Sequence, residues 1–308
     1  MAAADKPAAR DDLRILVSGS SGFIGTELVR QLEAGGHTVV KLVRSKPKHE
    51  SDLHWSPSTG ELDGAVMETV DAVINLSGAS TGHLPWTSNY KKEILESRVD
   101  ATKTLARAIG AAKHPPTVFL NGSAVGFYGD RPGELLTEKS APGSGFFPGV
   151  VSAWEAAAAT VAGTTRVVTF RTGVVVGRGG AFTPLLPLTR VGLGSRFGSG
   201  NQVWPWISRY DEAAAIRHLL TSKLAGPVNL SGPTSATAGH ITEYLARRMR
   251  RPYLFRIPGG VIKGALGDAG RELLLTDENV SSALLSADGF EFRHSSVESA
   301  IDAMLDEG

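Results

Sequence analysis

The sequence predicts an α/β fold, a parallel sheet with helices on both faces. Apolar, strand-like runs alternate with helical patterns from Leu13 to Leu230, and this alternation is typical of a doubly wound sheet. The first run, residues 13–17, passes through a glycine-rich turn directly into a helical pattern. The remaining C-terminal sequence is rich in glycine and proline and then mainly helical, which predicts a smaller second domain.

Three glycines mark the first turn. Gly19 allows the chain to reverse with a positive φ, Gly22 allows a dinucleotide pyrophosphate to approach the backbone, and Gly25 allows close packing of helix on strand. The free N–H groups at the start of that helix favour phosphates. These features predict a Rossmann-type dinucleotide site. Its residues in the turn are Gly19, Ser20, Ser21, Gly22, Phe23, Ile24 and Gly25.

The end of the second predicted strand, His37 to Val43, indicates which dinucleotide is bound. An acidic residue at this point binds the adenosine 2'-hydroxyl, but the chain has Arg44, followed by Ser45 and Lys46. A guanidinium forms forked hydrogen bonds with a phosphate, so the sequence favours NADP and predicts a preference for NADPH over NADH. An ordinary exposed basic loop is the alternative interpretation of Arg44.

Further cofactor contacts are predicted where later strands end. Open α/β sheets bind their ligands at the carboxyl ends of the strands. The loops that follow three predicted strands therefore complete the predicted cofactor site, with the residues Leu76, Ser77, Gly78, Gly122, Ser123, Thr172, Gly173 and Val174.

Composition argues against several classes of protein. A formal net charge of +1 gives no reason to expect nucleic acid or an anionic membrane as a partner. The chain has no cysteine, and its eight histidines show no ligand spacing, so no metal site is expected. The first dozen residues lack a signal-peptide core and no apolar run has the length of a membrane span, which predicts a cytoplasmic location.

The change of pattern after Gly177 indicates two domains. We expect a dinucleotide-binding domain over residues 12–178, completed by residues 207–231. Residues 179–206 and 232–308 are expected to form a mostly helical domain on the substrate side. The ligand crevice would then lie between this domain and the carboxyl edge of the sheet.

Several motifs together resemble those of extended short-chain dehydrogenases/reductases of the NAD-dependent epimerase/dehydratase kind. Besides the glycines, they are the Ser123 segment, the strand exit at Arg171 and the stretch from Gly198 to Asp211. More closely, the chain resembles an atypical epimerase-like branch whose members are sometimes described as cell-division-inhibitor homologues. The points of likeness include Trp55-x-Pro57-x-x-Gly60-Glu61-Leu62, Glu96-Ser97-Arg98, Trp154-Glu155 and Arg171-Thr172-Gly173. The resemblance implies the fold and dinucleotide binding.

The catalytic pattern that the resemblance implies is incomplete in this chain. Such enzymes use Tyr-x-x-x-Lys, in which the lysine lowers the pKa of the tyrosine so that it exchanges a proton with the substrate. Alignment on Glu155 places Phe147 at the tyrosine position and Val151 at the lysine position. Ser123 matches the substrate-orienting serine of the family. Proton transfer is therefore expected to need another group, such as Tyr128 or a water held by Ser123.

The substrate side also departs from the family. Arg98 stands where many extended members have an asparagine, and Trp204 stands where sugar-nucleotide members have the arginine that holds the diphosphate. Trp204 and Trp206 either line an apolar pocket or are buried core residues.

Two functions follow from these observations. The leading hypothesis is an NADP-dependent oxidoreductase or epimerase that acts on an unidentified small hydroxyl or carbonyl compound. The alternative is a catalytically silent NADPH-binding regulatory protein. The helices predicted at 88–112 and 150–162 either pair in a homodimer or pack on the sheet.

Overall fold

The computed structural model describes residues 12–306. The expectation of a cytoplasmic location rests in part on residues 1–11, which lie outside the described residues. The strands are β1 (Arg14–Ser18), β2 (Thr38–Val43), β3 (Asp52–Ser56), β4 (Glu61–Leu62), β5 (Ala72–Asn75), β6 (Val118–Ala124), β7 (Leu135–Leu136), β8 (Arg166–Thr172), β9 (Val174–Val176), β10 (Ser195–Phe197), β11 (Trp206–Ser208), β12 (Gly226–Leu230), β13 (Phe255–Ile257) and β14 (Asn279–Val280). The α-helices are α1 (Phe23–Ala34), α2 (Ser88–Ala111), α3 (Phe146–Ala159), α4 (Phe182–Arg190), α5 (Arg209–Thr221), α6 (Ala238–Arg248), α7 (Gly259–Gly270), α8 (Ala283–Ala287) and α9 (Val297–Asp306).

The main sheet has the order β12-β8-β6-β5-β1-β2-β3-β4, and every pair is parallel except β3 with β4. From β1 the chain winds outward through β2 to β4, and from β5 it winds outward the other way to β12. The direction of winding therefore reverses between β1 and β5. In open sheets the ligand crevice lies at such a reversal, outside the carboxyl ends of the strands. The predicted doubly wound α/β fold is confirmed.

The central strands are buried on both faces because helices cover each side. Ile15 and Val17 belong to the core that includes buried side chains of α1 and α5, while Leu16 belongs to the core that includes side chains of α2 and the end of α3. Successive side chains of a strand point to opposite faces, so an unbroken apolar run is required at this position.

The C-terminal sequence adds short strand pairs and helices. β9 pairs with β11, β10 with β13 and β7 with β14, all in parallel. Residues 258–285, for which the sequence showed no clear pattern, contain α7, a π-helical turn at Arg271–Leu275, β14 and part of α8. No helix among residues 12–306 is long and apolar enough to cross a bilayer.

Helix α3 begins four residues earlier than the predicted helix over 150–162. The carboxylate of Glu272 accepts hydrogen bonds from the backbone N–H groups of Phe146 at 3.2 Å and Phe147 at 2.7 Å. The first turn of a helix has N–H groups without internal partners, and an acidic group there stabilises it. A carboxylate from the C-terminal sequence thus supports the start of α3.

Candidate functional site

The glycine turn contacts the loop that follows β5. Gly19 has a φ of +71°, and a Cβ at this position would lie 2.7 Å from the carbonyl oxygen of Leu76. A Cβ at Gly25 would lie 2.1 Å from the carbonyl oxygen of Gly19. Side chains at both positions would collide with backbone, so this packing of turn, helix and loop requires glycine.

The start of α1 has the chemistry of a phosphate site. Gly22 is its N-cap residue and provides no side-chain hydrogen bond, and the first turn contains no acidic residue. The first N–H groups of the helix therefore have no capping carboxylate or hydroxyl, and they carry the positive end of the helix dipole. This arrangement fits the pyrophosphate of a dinucleotide.

Two arginines stand near this turn. Arg44 follows β2 directly and is exposed. Arg209, at the start of α5, donates to the carbonyl oxygen of Phe23 at 2.8 Å and to Oγ1 of Thr26 at 2.7 Å. Sequence reasoning missed Arg209, because 186 residues separate it from Phe23 and no local pattern links the two. Its cation adds to the positive potential beside α1.

Ser123 lies at the carboxyl end of β6 and forms a network with Glu155 and Arg171. The Ser123 hydroxyl donates to Oε1 of Glu155 at 2.6 Å. Arg171 holds the same carboxylate with two hydrogen bonds, Nε to Oε1 and Nη2 to Oε2, each 2.8 Å long. The hydroxyl proton of Ser123 therefore points to Glu155, and the serine oxygen remains able to accept a hydrogen bond. The motifs Trp154-Glu155 and Arg171-Thr172-Gly173 marked these residues but not their contact.

Tyr128 is not available as a proton donor, so that expectation is wrong. Its ring is fully buried, its hydroxyl donates to Oδ1 of Asn229 at 2.6 Å, and it accepts from Nη1 of Arg171 at 2.9 Å. Burial raises the pKa of Tyr128, although Arg171 acts in the opposite direction. Its hydroxyl is used inside the protein, by Asn229 and by the arginine that also holds Glu155.

Helix α3 carries no proton-transferring group at the two family positions. Phe147 and Val151 are both buried in an apolar cluster with Trp86 and Ile94. A tyrosine and a lysine would present a hydroxyl and an ammonium at these positions, whereas the structure has only hydrocarbon there.

Four of the predicted cofactor residues make contacts within the protein. The Thr172 hydroxyl donates to Oε1 of Glu212 at 2.7 Å, and the N–H groups of Gly173 and Val174 donate to the carbonyl oxygens of Leu230 and Pro205. Gly122 is buried inside β6, against the indole of Trp154. The hydroxyl and the two N–H groups already have partners inside the protein and Gly122 is buried, so the prediction that these four residues bind the cofactor is not supported by their positions.

The pocket-lining interpretation of the two tryptophans is also wrong. Trp204 is 5% exposed and Trp206 is fully buried, and both belong to the core between α6 and α9. Nε1 of Trp206 donates to the carbonyl oxygen of Thr234 at 2.7 Å, which satisfies its polar end inside the protein.

Arg98, the third residue predicted on the substrate side, lies on α2 against the loop after β5, where a Cβ at Gly78 would come within 3.1 Å of Cζ of Arg98. Arg98 is therefore next to the crevice, while the two tryptophans are not.

A separate cleft of about 450 Å³ opens between the segment 198–202 and α7. Ser199, Asn201, Arg256 and Lys263 are among its lining residues, and no residue of the glycine turn reaches it. Its size fits a small ligand. No group of three or more metal-ligating side chains occurs in the range 12–306.

The crevice at the winding reversal, the glycine turn and the uncapped start of α1 define a dinucleotide-binding protein of the short-chain dehydrogenase/reductase type. Residues 15–231 match the profile of the NAD dependent epimerase/dehydratase family, and residues 257–304 match a domain of unknown function. The chain belongs to the NAD-dependent epimerase/dehydratase family.

Its relatives include bacterial and human proteins. An epimerase family protein of Mycobacterium bovis is 36% identical over 291 residues, which cover 93% of this chain and 96% of the relative. A crystal structure of the human epimerase family protein SDR39U1 with NADPH is similar with a TM-score of 0.87 and 31% identity, over 96% of this chain and 99% of that one. A nucleoside-diphosphate sugar epimerase from Corynebacterium glutamicum matches with a TM-score of 0.78 and 30% identity, over 96% of this chain and 58% of that longer chain.

Proposed function

We propose that this protein binds NADP(H) in preference to NAD(H) and uses it to oxidise, reduce or epimerise a small hydroxyl or carbonyl compound. The observation that carries the choice of cofactor is the position of Arg44 at the carboxyl end of β2, next to the strand that bears the glycine turn. A guanidinium there suits the 2'-phosphate. The human relative with bound NADPH supports this choice.

The chemistry is assigned to Ser123 and Glu155. A dinucleotide bound at the glycine turn with its adenosine ribose at the end of β2 would extend across β1 toward β5 and β6, where Ser123 would stand near the nicotinamide. Ser123, on β6, lies two strands from β1, which carries the glycine turn. At the usual strand spacing of about 4.8 Å, the two strands are about 10 Å apart. The bound nicotinamide supplies or accepts the hydride. Ser123 accepts a hydrogen bond from a substrate hydroxyl, and Glu155 receives the proton that passes through the serine oxygen.

Arg44→Ala tests the choice of cofactor. Charge-assisted hydrogen bonds contribute roughly 1.5 to 3 kcal/mol, so the variant should bind NADPH at least tenfold more weakly by calorimetric titration, with NADH binding nearly unchanged. Arg217→Ala is the matched control, because Arg217 is exposed and lies about two turns into α5, away from the carboxyl edge. Equal losses for both cofactors would contradict the role of Arg44.

Turnover is tested with panels of small aldehydes, ketones, quinones, alcohols and nucleotide sugars, followed by the absorbance of NADPH and by product stereochemistry. Ser123→Ala should reduce any activity about 10²- to 10⁴-fold, the usual contribution of acid–base assistance. Efficient epimerisation of a nucleotide sugar would refute the proposed substrate class, which rests on Trp204 in place of the diphosphate-binding arginine.

A second candidate function is a silent NADPH-binding regulatory protein. The observation that favours it is the hydrocarbon at Phe147 and Val151, together with the buried hydroxyl of Tyr128. Tight NADPH binding with no turnover of any panel member, in wild type and variants alike, is the result that this second function predicts.

A further inference from the structure

Arg98 is a buried cation without a carboxylate partner. It is 8% exposed, its Nη1 donates to the carbonyl oxygen of Ile94 at 3.0 Å, and its Nε has no hydrogen-bond partner. Within residues 12–306, no ion pair of Arg98 is present. Burial lowers the pKa of Arg98 to about 10, so the guanidinium remains charged at neutral pH. Burying a charge that has no ion-pair partner is costly, and a buried, perturbed cation beside a crevice is a candidate for ligand binding.

A second unsatisfied donor lies beside Arg98. The guanidinium stands 5.2 Å from the centre of the Trp154 ring, and Nε1 of Trp154 is also buried without a hydrogen-bond partner. The two side chains come from different helices, α2 and α3. A buried donor without a partner needs an explanation, and an acceptor that a ligand supplies would satisfy such a donor.

The loop that follows β5 packs against Arg98 and is held by hydrogen bonds from α2 and from its own side chains. The N–H of Ala79 donates to Oγ of Ser97 at 2.9 Å, Nε1 of Trp86 donates to the carbonyl oxygen of Thr81 at 2.9 Å, and the Tyr90 hydroxyl donates to the carbonyl oxygen of Ser80. Gly78 lies in this loop, and its missing Cβ leaves the space that the guanidinium fills. Arg98 is thus held against the loop that follows β5, at the edge of the crevice.

We propose that Arg98 binds the anionic group of the substrate, a carboxylate or a phosphate, beside the nicotinamide end of the cofactor. The inference rests on the proposed function. Arg98 and Ser123 lie near the ends of β5 and β6, on the opposite side of β1 from Arg44. The cofactor phosphates have their own site at α1. A guanidinium recognises planar carboxylates and phosphates in a forked geometry. The substrate class is therefore small hydroxy or oxo acids, or phosphorylated hydroxyl and carbonyl compounds.

Benzoate and inorganic phosphate are the probes, and benzamide is the neutral control. Binding is measured by calorimetry and thermal shift on the full chain, for benzoate with and without NADPH and for phosphate with NADPH bound, because free phosphate also fits the start of α1. Wild type should bind benzoate or phosphate saturably and should not bind benzamide. Arg98→Gln should weaken the anion at least tenfold while changing NADPH affinity less than threefold, and Arg217→Gln should change neither. The two probes distinguish a carboxylate substrate from a phosphorylated one.

The stability of the variants provides an independent measurement. Arg98→Met fills similar space without charge, so its thermal midpoint in buffer free of both probes should equal or exceed that of wild type, because an uncompensated cation is removed. Arg98→Lys should retain part of the anion affinity.

Three results would overturn the inference: no saturable anion binding to wild type, unchanged anion affinity in Arg98→Gln, or a loss of NADPH affinity in Arg98→Gln as large as the loss of anion affinity. Failure of NADPH to bind wild type would refute the proposed function instead, because benzoate binding is also measured without NADPH.

Discussion

Replacing Glu155 with glutamine should destabilise the protein far more than the same change in a surface pair of similar geometry. Glu155 and Arg171 form a two-bond pair whose side chains are 14% and 3% exposed. Glutamine keeps the shape and one oxygen for Ser123, but it leaves Arg171 charged, buried and facing an amide. Breaking a buried pair from one side costs about 3 to 5 kcal/mol. For a chain of this length the thermal midpoint should fall by about 5 to 8 °C.

The control is Glu134→Gln, which removes the carboxylate from the two-bond pair of Glu134 with Arg131, whose side chains are 52% and 29% exposed. Water solvates both charges there, so the midpoint should stay unchanged within error. Thermal and urea unfolding are recorded for both variants without cofactor. If Glu155→Gln loses no more stability than Glu134→Gln, burial does not set the strength of the Glu155–Arg171 pair, and the reasoning fails.

Three further predictions concern the glycine turn and a buried carboxyl group. Gly22→Val should abolish binding of both cofactors, because the pyrophosphate approaches the backbone at this residue. The circular dichroism spectrum should stay nearly intact, since a Cβ there meets only the carbonyl oxygen of Gly19, at 3.1 Å. Tight residual binding would contradict a phosphate contact at Gly22. Gly25→Ala should instead lower the urea midpoint of the cofactor-free protein, since its Cβ would lie 2.1 Å from the same oxygen; an unchanged midpoint would contradict the close packing. Burial raises the pKa of Glu212 from 4.5 to about 8, so the native state holds a proton that the unfolded chain releases, and wild type should lose stability as the pH rises through this interval. Glu212→Gln should remove part of this loss of stability between about pH 5 and pH 8. The remaining loss is due to Glu278, whose pKa burial also raises to about 8. Urea midpoints of wild type and variant at the two pH values measure how much of the loss each residue causes.

The features that local sequence determines were predictable. The glycine turn, the buried strand before it and the helix after it share one stretch of chain, so their spacing alone predicts a crevice at the carboxyl edge. The position of Arg44 at the end of β2 was predicted in the same way, because the end of the second strand has a known relation to the ribose, and its contact with the cofactor stays a prediction.

Features that depend on distant partners were not predictable. The start of α3 depends on Glu272, more than 120 residues away, and the burial of the Tyr128 hydroxyl depends on Asn229, which is 101 residues away. Trp204 left two interpretations open because an indole suits a ligand pocket and a core equally well. The contact of Ser123 with Glu155 joins a strand end to a helix, and neither motif alone reveals it.

The two hydrogen bonds from α3 to Glu272 also bear on how this molecule is able to move. The π-helical turn that carries Glu272 follows α7, which forms one wall of the 450 Å³ cleft, whereas α3 carries Glu155. Any hinge motion that swings this wall outward must either carry the start of α3 with it or free two helix N–H groups. The start of α3, which carries Glu155, is therefore tied to the wall of the cleft through a single carboxylate, that of Glu272.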